Sequence, residues 1–254
     1  MQKKIAYEAG KMMLKYFNAK DISSYKGDKT IVTLADKEIN TYLINRVKEK
    51  FPAHSVDGEE EQFGKSDYVW VCDPVDGTAM YARHIPVAVF SLALVVNGEP
   101  KVGVVYDVFT DTLYSAIKGE GAYKNGEKIT VNDYELNDMR SVSNFDMWPE
   151  AEYGLYDSIK ELGKKTYFVS VGSVIRGCMC VASGEFNLAI FPGTKRKNCD
   201  IAAVKVIVEE AGGKVTNLFG EEQRYDTDIK GAIVSNGKVH EEVVETIKQK
   251  LNRT

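Results

Sequence analysis

Asp73-Pro74-Val75-Asp76-Gly77-Thr78 sets two carboxylates three positions apart, behind the apolar run Tyr68-Val69-Trp70-Val71-Cys72. The run reads as a buried strand, and Pro74 stiffens a turn between the two acids. Gly77 and Thr78 then offer backbone N–H groups at the start of a helix. Carboxylates hold hard cations, and free amides at a helix N-terminus hold phosphate. Six residues thus carry both halves of a metal-dependent attack on a phosphate ester. More acid stands at Glu59, in Gly58-Glu59-Glu60, and at Asp200, in Asn198-Cys199-Asp200-Ile201-Ala202-Ala203. Each has a plain reading on its own: Asp200 as a helix N-cap, Glu59 to Glu61 as a solvated acidic loop, Asp76-Gly77 as a turn. Together, three separate elements place acid at an element terminus, and such termini gather at a sheet edge where ligands bind.

The elements that must position these acids can be read from periodicity. Ile5, Ala9, Met13 and Phe17 recur at helical spacing, so the chain opens on an amphipathic helix. Ser23 to Lys29 reads as a mobile loop. A second helix is expected over Leu34–Lys50, with Ala35, Ile39, Leu43 and Val47 on its apolar face and Pro52 beyond its end. His54-Ser55-Val56 is a short strand that leads to Glu59. Between Val87 and Ile129 apolar strands alternate with turn signals at Asn97-Gly98, Asp111-Thr112, Gly119-Glu120-Gly121 and Asn125-Gly126, the pattern of an antiparallel meander. Beyond about Tyr134 strands and helices alternate. Strands are expected at 141–144, 166–171, 186–191, 214–217 and 232–235. Helices are expected near 150–162 and at 174–182, 201–211 and 241–251, the third capped by Gly212-Gly213. The reading is α/β: an α+β N-terminal domain over 1–135 with an antiparallel sheet and most of the acids, and an α/β C-terminal domain over 136–254 that supplies Asp200.

The composition narrows the class. The chain has 254 residues, 44% of them hydrophobic, enough for a large core. A formal net charge of −4 argues against a nucleic-acid binder driven by bulk charge. The most apolar run, Val87 to Val96, is interrupted by Ser91 and too short to span a bilayer. Met1-Gln2-Lys3-Lys4 lacks the apolar segment of a secretory signal, so a cytoplasmic protein without a membrane partner is expected. Cys72, Cys178, Cys180 and Cys199 show no zinc-type pairing and read as small buried apolar groups. His54, His84 and His240 are scattered, no serine sits at a sharp turn beside one, and neither a P-loop nor a dinucleotide-binding glycine pattern occurs.

The aspartate motif, with Gly58-Glu59-Glu60 upstream and Asp200-Ile201-Ala202-Ala203…Glu210-Ala211-Gly212-Gly213 downstream, resembles the inositol monophosphatase family. The likeness covers nearly the whole chain. It includes Ile85-Pro86-Val87-Ala88-Val89, Val102-Gly103-Val104-Val105-Tyr106-Asp107 and Gly119-Glu120-Gly121-Ala122. It implies a layered αβαβα sandwich, a homodimer, and a lithium-inhibited phosphomonoesterase with two or three Mg²⁺ per site. Its metal ligands would be Glu59, Asp73, the Val75 carbonyl, Asp76 and Asp200. Glu59 and Thr78 would activate water, with Asp36 supporting the threonine, and the Gly77 and Thr78 amides would hold phosphate. Asp36 can equally be a first-turn acid favoured by the helix dipole. The family commonly has asparagine at the position of Met80 and tryptophan at that of Cys199, both beside the expected leaving-group pocket. Arg176 and the run Lys195-Arg196-Lys197 are either solvated cations or the grip for a second anion on the substrate. The implied substrate is a small phosphorylated metabolite, inositol monophosphate first. Fructose 1,6-bisphosphate and a 3′(2′),5′-bisphosphate nucleotide are the alternatives, and a regulatory binding protein on the same scaffold is the non-enzyme reading.

Overall fold

The computed structural model describes residues 1–19, 23–25, 31–146, 151, 153–193 and 198–251. The chain enters on α1 (Gln2–Phe17), β1 (Ser23–Tyr25), β2 (Ile31–Thr33) and α2 (Leu34–Lys50). Then come β3 (Ser55–Gly58), β4 (Gln62–Phe63), β5 (Tyr68–Asp76) and the single turn α3 (Thr78–Tyr81). The meander is β6 (Val89–Val96), β7 (Glu99–Asp107), β8 (Thr112–Ile117), β9 (Gly121–Lys124) and β10 (Glu127–Lys128). The remainder is β11 (Val142–Phe145), α4 (Tyr156–Leu162), β12 (Tyr167–Val169), α5 (Val174–Ala182), β13 (Leu188–Phe191), α6 (Asn198–Glu210), β14 (Lys214–Thr216), β15 (Ala232–Ser235) and α7 (His240–Leu251).

Two sheets and three helical layers make an αβαβα sandwich. The first sheet runs β10-β9-β8-β7-β6-β5-β3-β4, antiparallel except where β3 lies parallel to β5. The second runs β12-β11-β13-β15-β14. α1 and α2 cover one face of the first sheet through Ile5, Ala9, Met13, Ile39, Leu43 and Val47. α5 and α6 lie between the sheets, and Val71, Val105, Ile175, Ile201, Val204 and Val234 share one core there. α4 and α7 close the far face through Leu162, Val243 and Ile247. A helix between two sheets has no solvent face, so α6 is buried at every residue from Asn198 to Val208. Its Lys205 meets this burial by bonding Glu209, Glu222 and the Val215 carbonyl. Glu210 ends the helix with its carboxylate accepting from Gly119 N and Gly121 N, both at 2.7 Å. Two of the motifs quoted above thereby meet as a fold clamp.

Three expectations change. Ser23–Tyr25 is a strand paired antiparallel with Ile31–Thr33, not a loop, and 26–30 lie outside the described residues. The helix expected near 150–162 begins only at Tyr156, beyond Gly154, a poor helix former. The strand that carries the aspartates does not stop at Cys72. It runs to Asp76, with Asp73 opposite Ser91, Asp76 opposite Val89 and a register shift between them. Pro74 has no N–H to give a ladder, and the bulge absorbs it.

Candidate active site

β5 delivers Asp73 and Asp76 buried, at 2% and 7% exposure, into the layer between the sheets. Asp73 Oδ1 accepts from Val75 N at 2.9 Å, a local bond that fixes the carboxylate over the bulge. Gly77 then takes φ +88°, where a side chain would be strained and a Cβ would stand 3.0 Å from the Gly172 carbonyl. That turn starts α3 and lets Thr78 Oγ1 donate to the Val75 carbonyl at 2.8 Å. Asp76 Oδ2 accepts from Ser173 Oγ and, at 2.8 Å, from Ile175 N, so the acid sits on the N-terminus of α5. Ser173 caps that helix as well, accepting from Arg176 N at 3.1 Å. The Asp76 carboxyl is nevertheless pushed up, first by burial and then by the charge of Asp200.

Asp200 arrives from the opposite half of the chain. It lies in the first turn of α6, 1% exposed, rather than at the cap. Oxygen, sulfur and oxygen of Asp73, Cys199 and Asp200 come within 4.8 Å of one another. Asn198 anchors this helix start by donating to Asp57 Oδ2 at 2.8 Å and to the Tyr225 carbonyl at 3.0 Å. Glu59 follows β3, with its N–H on the Cys72 carbonyl at 3.1 Å, and is half-buried beside Glu60. Carboxylate oxygens of Asp36, Glu59 and Glu60 form a second group within 4.8 Å. Asp36 completes a capping box on α2, accepting from Thr33 N at 2.8 Å and from the Thr33 hydroxyl. Its other oxygen, Oδ1, is buried with no hydrogen-bond partner among the described residues. Desolvation raises this carboxyl to about 7, and the neighbouring charge of Glu59 adds to the shift, against the bonds from Thr33.

The structure thus brings Glu59, Asp73, Asp76 and Asp200 to the β3–β5 edge and the α6 start, with Asp36, Gly77 and Thr78 around them. For Arg176 the sequence allows a solvated cation or the grip for a second anion. Its guanidinium pairs with buried Asp107 at 2.8 Å. Lys195, Arg196 and Lys197 lie outside the described residues. Met80 packs over Gly172, where an added Cβ would come within 2.8 Å of its Cγ.

Sequence reasoning missed the residues that hold these acids in place. Asn40, fully buried in α2, accepts from Glu60 N and Glu61 N at 3.3 and 3.4 Å and donates to the Glu61 carbonyl at 3.0 Å. Gly58 must be glycine because a Cβ there would fall 2.0 Å from Asn40 Oδ1. The available signal was a polar residue inside the apolar stripe of a helix, as a serine before the apolar 174–182 helix was for Ser173.

Comparison with known proteins gives the family. The pattern of the inositol monophosphatase family matches residues 1–252. A fructose-1,6-bisphosphatase/inositol-1-monophosphatase of Thermotoga maritima is 33% identical, over 94% of this chain and 90% of its own. Inositol monophosphatase 1 of Rattus norvegicus is 34% identical, over 85% of this chain and 82% of its own. Among solved structures, an IMPase of Thermotoga maritima superposes with a TM-score of 0.87 at 30% identity, covering 98% of this chain and 96% of that one. A staphylococcal IMPase complexed with products gives a TM-score of 0.82 at 27% identity, over 96% and 91% of the two chains. Fold, acidic cluster and likeness define a phosphatase that hydrolyses phosphomonoesters. The chain belongs to the inositol monophosphatase family. Among the described residues no helix is long and apolar enough to cross a membrane.

Proposed function

We propose that this protein is a Mg²⁺-dependent phosphomonoesterase acting on a small polyol or sugar phosphate, with inositol 1-phosphate as its first substrate. One observation carries the reading: buried acids from β5 and α6, far apart in the chain, meet beside the acids that follow β3. The donor set suits a hard divalent ion, being almost wholly oxygen. Asp36 Oδ1 is buried with no hydrogen-bond partner among the described residues, and Asp36 and Asp76 are both raised by burial and neighbouring acids, a concentration of charge that a cation relieves. Glu59, Asp73, the Val75 carbonyl, Asp76 and Asp200 would hold the ions. Bound Mg²⁺ neutralises the phosphate dianion and lowers the pKa of water at the site.

The protein's own groups set the direction of attack. Thr78 spends its single hydroxyl proton on the Val75 carbonyl, so it meets a water molecule as an acceptor. The side-chain oxygens of Glu59 offer a second acceptor. A water that donates to both directs its remaining lone pair at phosphorus. Glu59 takes the proton as the P–O bond forms, and the Gly77 and Thr78 amides receive the phosphate oxygens. The leaving alkoxide departs past Asp76 and Asp200.

Fructose 1,6-bisphosphate is the second reading. Relatives that carry both names support it, as does the basic run Lys195-Arg196-Lys197 just before α6. Because Arg176 is engaged by Asp107, the grip on a second phosphate would fall to that run. Phosphate release from inositol 1-phosphate, fructose 1,6-bisphosphate and adenosine 3′,5′-bisphosphate, with Mg²⁺ and with EDTA, tests the proposal. Activity is expected with Mg²⁺ only; Glu59→Gln should lower kcat by about 10²–10⁴-fold, the scale of a lost acid–base group, and Asp200→Asn should lower kcat and raise the Mg²⁺ concentration needed, as the loss of a charged metal ligand does. Near-normal turnover in both variants would end the role assignment. Unchanged kcat/KM for the bisphosphate in Arg196→Ala/Lys197→Ala would end the second reading.

A further inference from the structure

We propose that Cys199 makes one end of this centre a site for a thiophilic divalent cation, with Zn²⁺ held by Asp73, Cys199 and Asp200 in competition with Mg²⁺. The proposal rests on the reading of Asp73 and Asp200 as metal ligands and adds a soft third donor to them. The three side-chain donors lie within 4.8 Å of one another and all three residues are at most 3% exposed. Cys199 and Asp200 are neighbours in the first turn of α6, and Cys199 Sγ stands 3.4 Å from Asp200 Oδ1. Sulfur at about 2.3 Å and oxygen at about 2.1 Å on one tetrahedral Zn²⁺ stand about 3.6 Å apart. The pair is therefore already spaced for a shared ion, with an Asp73 oxygen within 4.8 Å of both.

The chemistry separates two kinds of ion. Mg²⁺ takes oxygen donors and leaves a thiol alone, whereas Zn²⁺ binds thiolate, carboxylate and one open position in a single tetrahedron. On binding, a Zn–S bond forms and the thiol proton passes to solvent, without a redox change. The neighbouring thiol does not substitute for Cys199. Cys72 precedes Asp73 on β5, so it faces the opposite side of the sheet and packs in the α1–α2 core. Cys178 shares the core between the sheets with Cys199, but among the described residues the thiol that comes within 4.8 Å of both Asp73 and Asp200 oxygens is that of Cys199. The functional consequence is a phosphatase that is shut off when Zn²⁺ or Cd²⁺ displaces the hard ion at Asp73 and Asp200.

The test uses the full-length chain stripped of metal. Zinc-edge X-ray absorption of the wild type with one equivalent of Zn²⁺ should show a sulfur neighbour at about 2.3 Å; a shell of oxygen and nitrogen alone overturns the proposal. Cd²⁺ titration should raise a sulfur-to-metal charge-transfer band that disappears in Cys199→Ser, weakens in Asp200→Asn and persists in Cys72→Ala. Zn²⁺ affinity, read by competition with a chromophoric chelator, should fall at least about tenfold in Cys199→Ser, the lower end of what even outer-sphere partners contribute. A band that survives Cys199→Ser, or equal affinity in that variant, is equally fatal. If sulfur ligation is seen but phosphate release does not need Mg²⁺, the proposed reaction fails and the ligand set stands. If release needs Mg²⁺ and the zinc shell lacks sulfur, only the present inference fails.

Discussion

Replacing Asn40 with alanine isolates how the fold holds the acids that follow β3. Asn40 is fully buried and serves three backbone groups of the 60–61 turn, one bond at 3.0 Å and two longer ones at 3.3 and 3.4 Å. A buried polar group left unmatched costs about 1–3 kcal/mol. Here Glu61 is exposed, so water can reach part of the turn, and the two long bonds are weak. The expected loss is about 2–3 kcal/mol, near the sum of one full bond and two partial ones. Urea unfolding followed by circular dichroism measures it, with an unchanged m value showing that the unfolded state is not altered. The turn also carries Glu59 N to the Cys72 carbonyl, so loosening it moves Glu59 relative to Asp73. A misplacement of about 1 Å costs about 10²-fold in rate, and the Mg²⁺ concentration for half-activation should rise. Stability lost with kcat and the Mg²⁺ requirement unchanged would reduce Asn40 to packing. No loss in either measurement would refute the reasoning altogether.

Two further perturbations test structural statements away from the acidic cluster. His240 is fully buried between Thr216 Oγ1 at 2.9 Å and Ser235 Oγ at 2.8 Å, and burial pushes it down to about 4. The unfolded chain therefore protonates first as pH falls. Stability from neutral His240 is complete above about pH 6.5 and declines by up to about 3 kcal/mol on the way to pH 4. The difference in urea midpoint between wild type and His240→Gln should shrink over that window; a difference independent of pH contradicts it. Glu210→Ala removes the carboxylate from the Gly119 and Gly121 amides and should cost about 1–3 kcal/mol in the same unfolding assay. Because Glu210 lies at the far end of α6 from Asp200, kcat for phosphate release should not change. A large fall in kcat at full stability would place Glu210 nearer the chemistry than the geometry does.

The acids were legible in the sequence because each stands at the junction between an apolar run and a turn signal. Tyr68-Val69-Trp70-Val71-Cys72 announces a strand by itself, and α6 announces a helix through the apolar runs Ile201 to Val204 and Val206 to Val208 on either side of Lys205. Helix α2 was legible over its observed span, Leu34–Lys50, from its apolar stripe and from Pro52 beyond its end; the Thr33–Asp36 capping box that starts it emerged only in the structure. What escaped was everything set by a partner strand. β5 passes through Pro74 only because β6 pairs with it on both sides of a bulge, and no property of the 73–76 segment alone reveals that neighbour. The pairing β1–β2 depends likewise on 31–33 returning beside 23–25.

The same division explains the positioning residues. Asn40, Asn198 and Ser173 have no motif of their own, since each works through a backbone or carboxylate group 20 to 141 positions away. Asn198 joins β3 to the start of α6 through Asp57, and Ser173 joins the start of α5 to the end of β5 through Asp76. Asn40 joins α2 to the turn after β3. Each ties the backbone bearing one acid to a different layer of the sandwich. Buried like charges would push these layers apart, and neutral hydrogen-bonding side chains hold them without adding charge. That arrangement lets buried acids from β5 and α6 stand near one another before any cation arrives. An aspartate at any of the three positions would add to the repulsion it now resists.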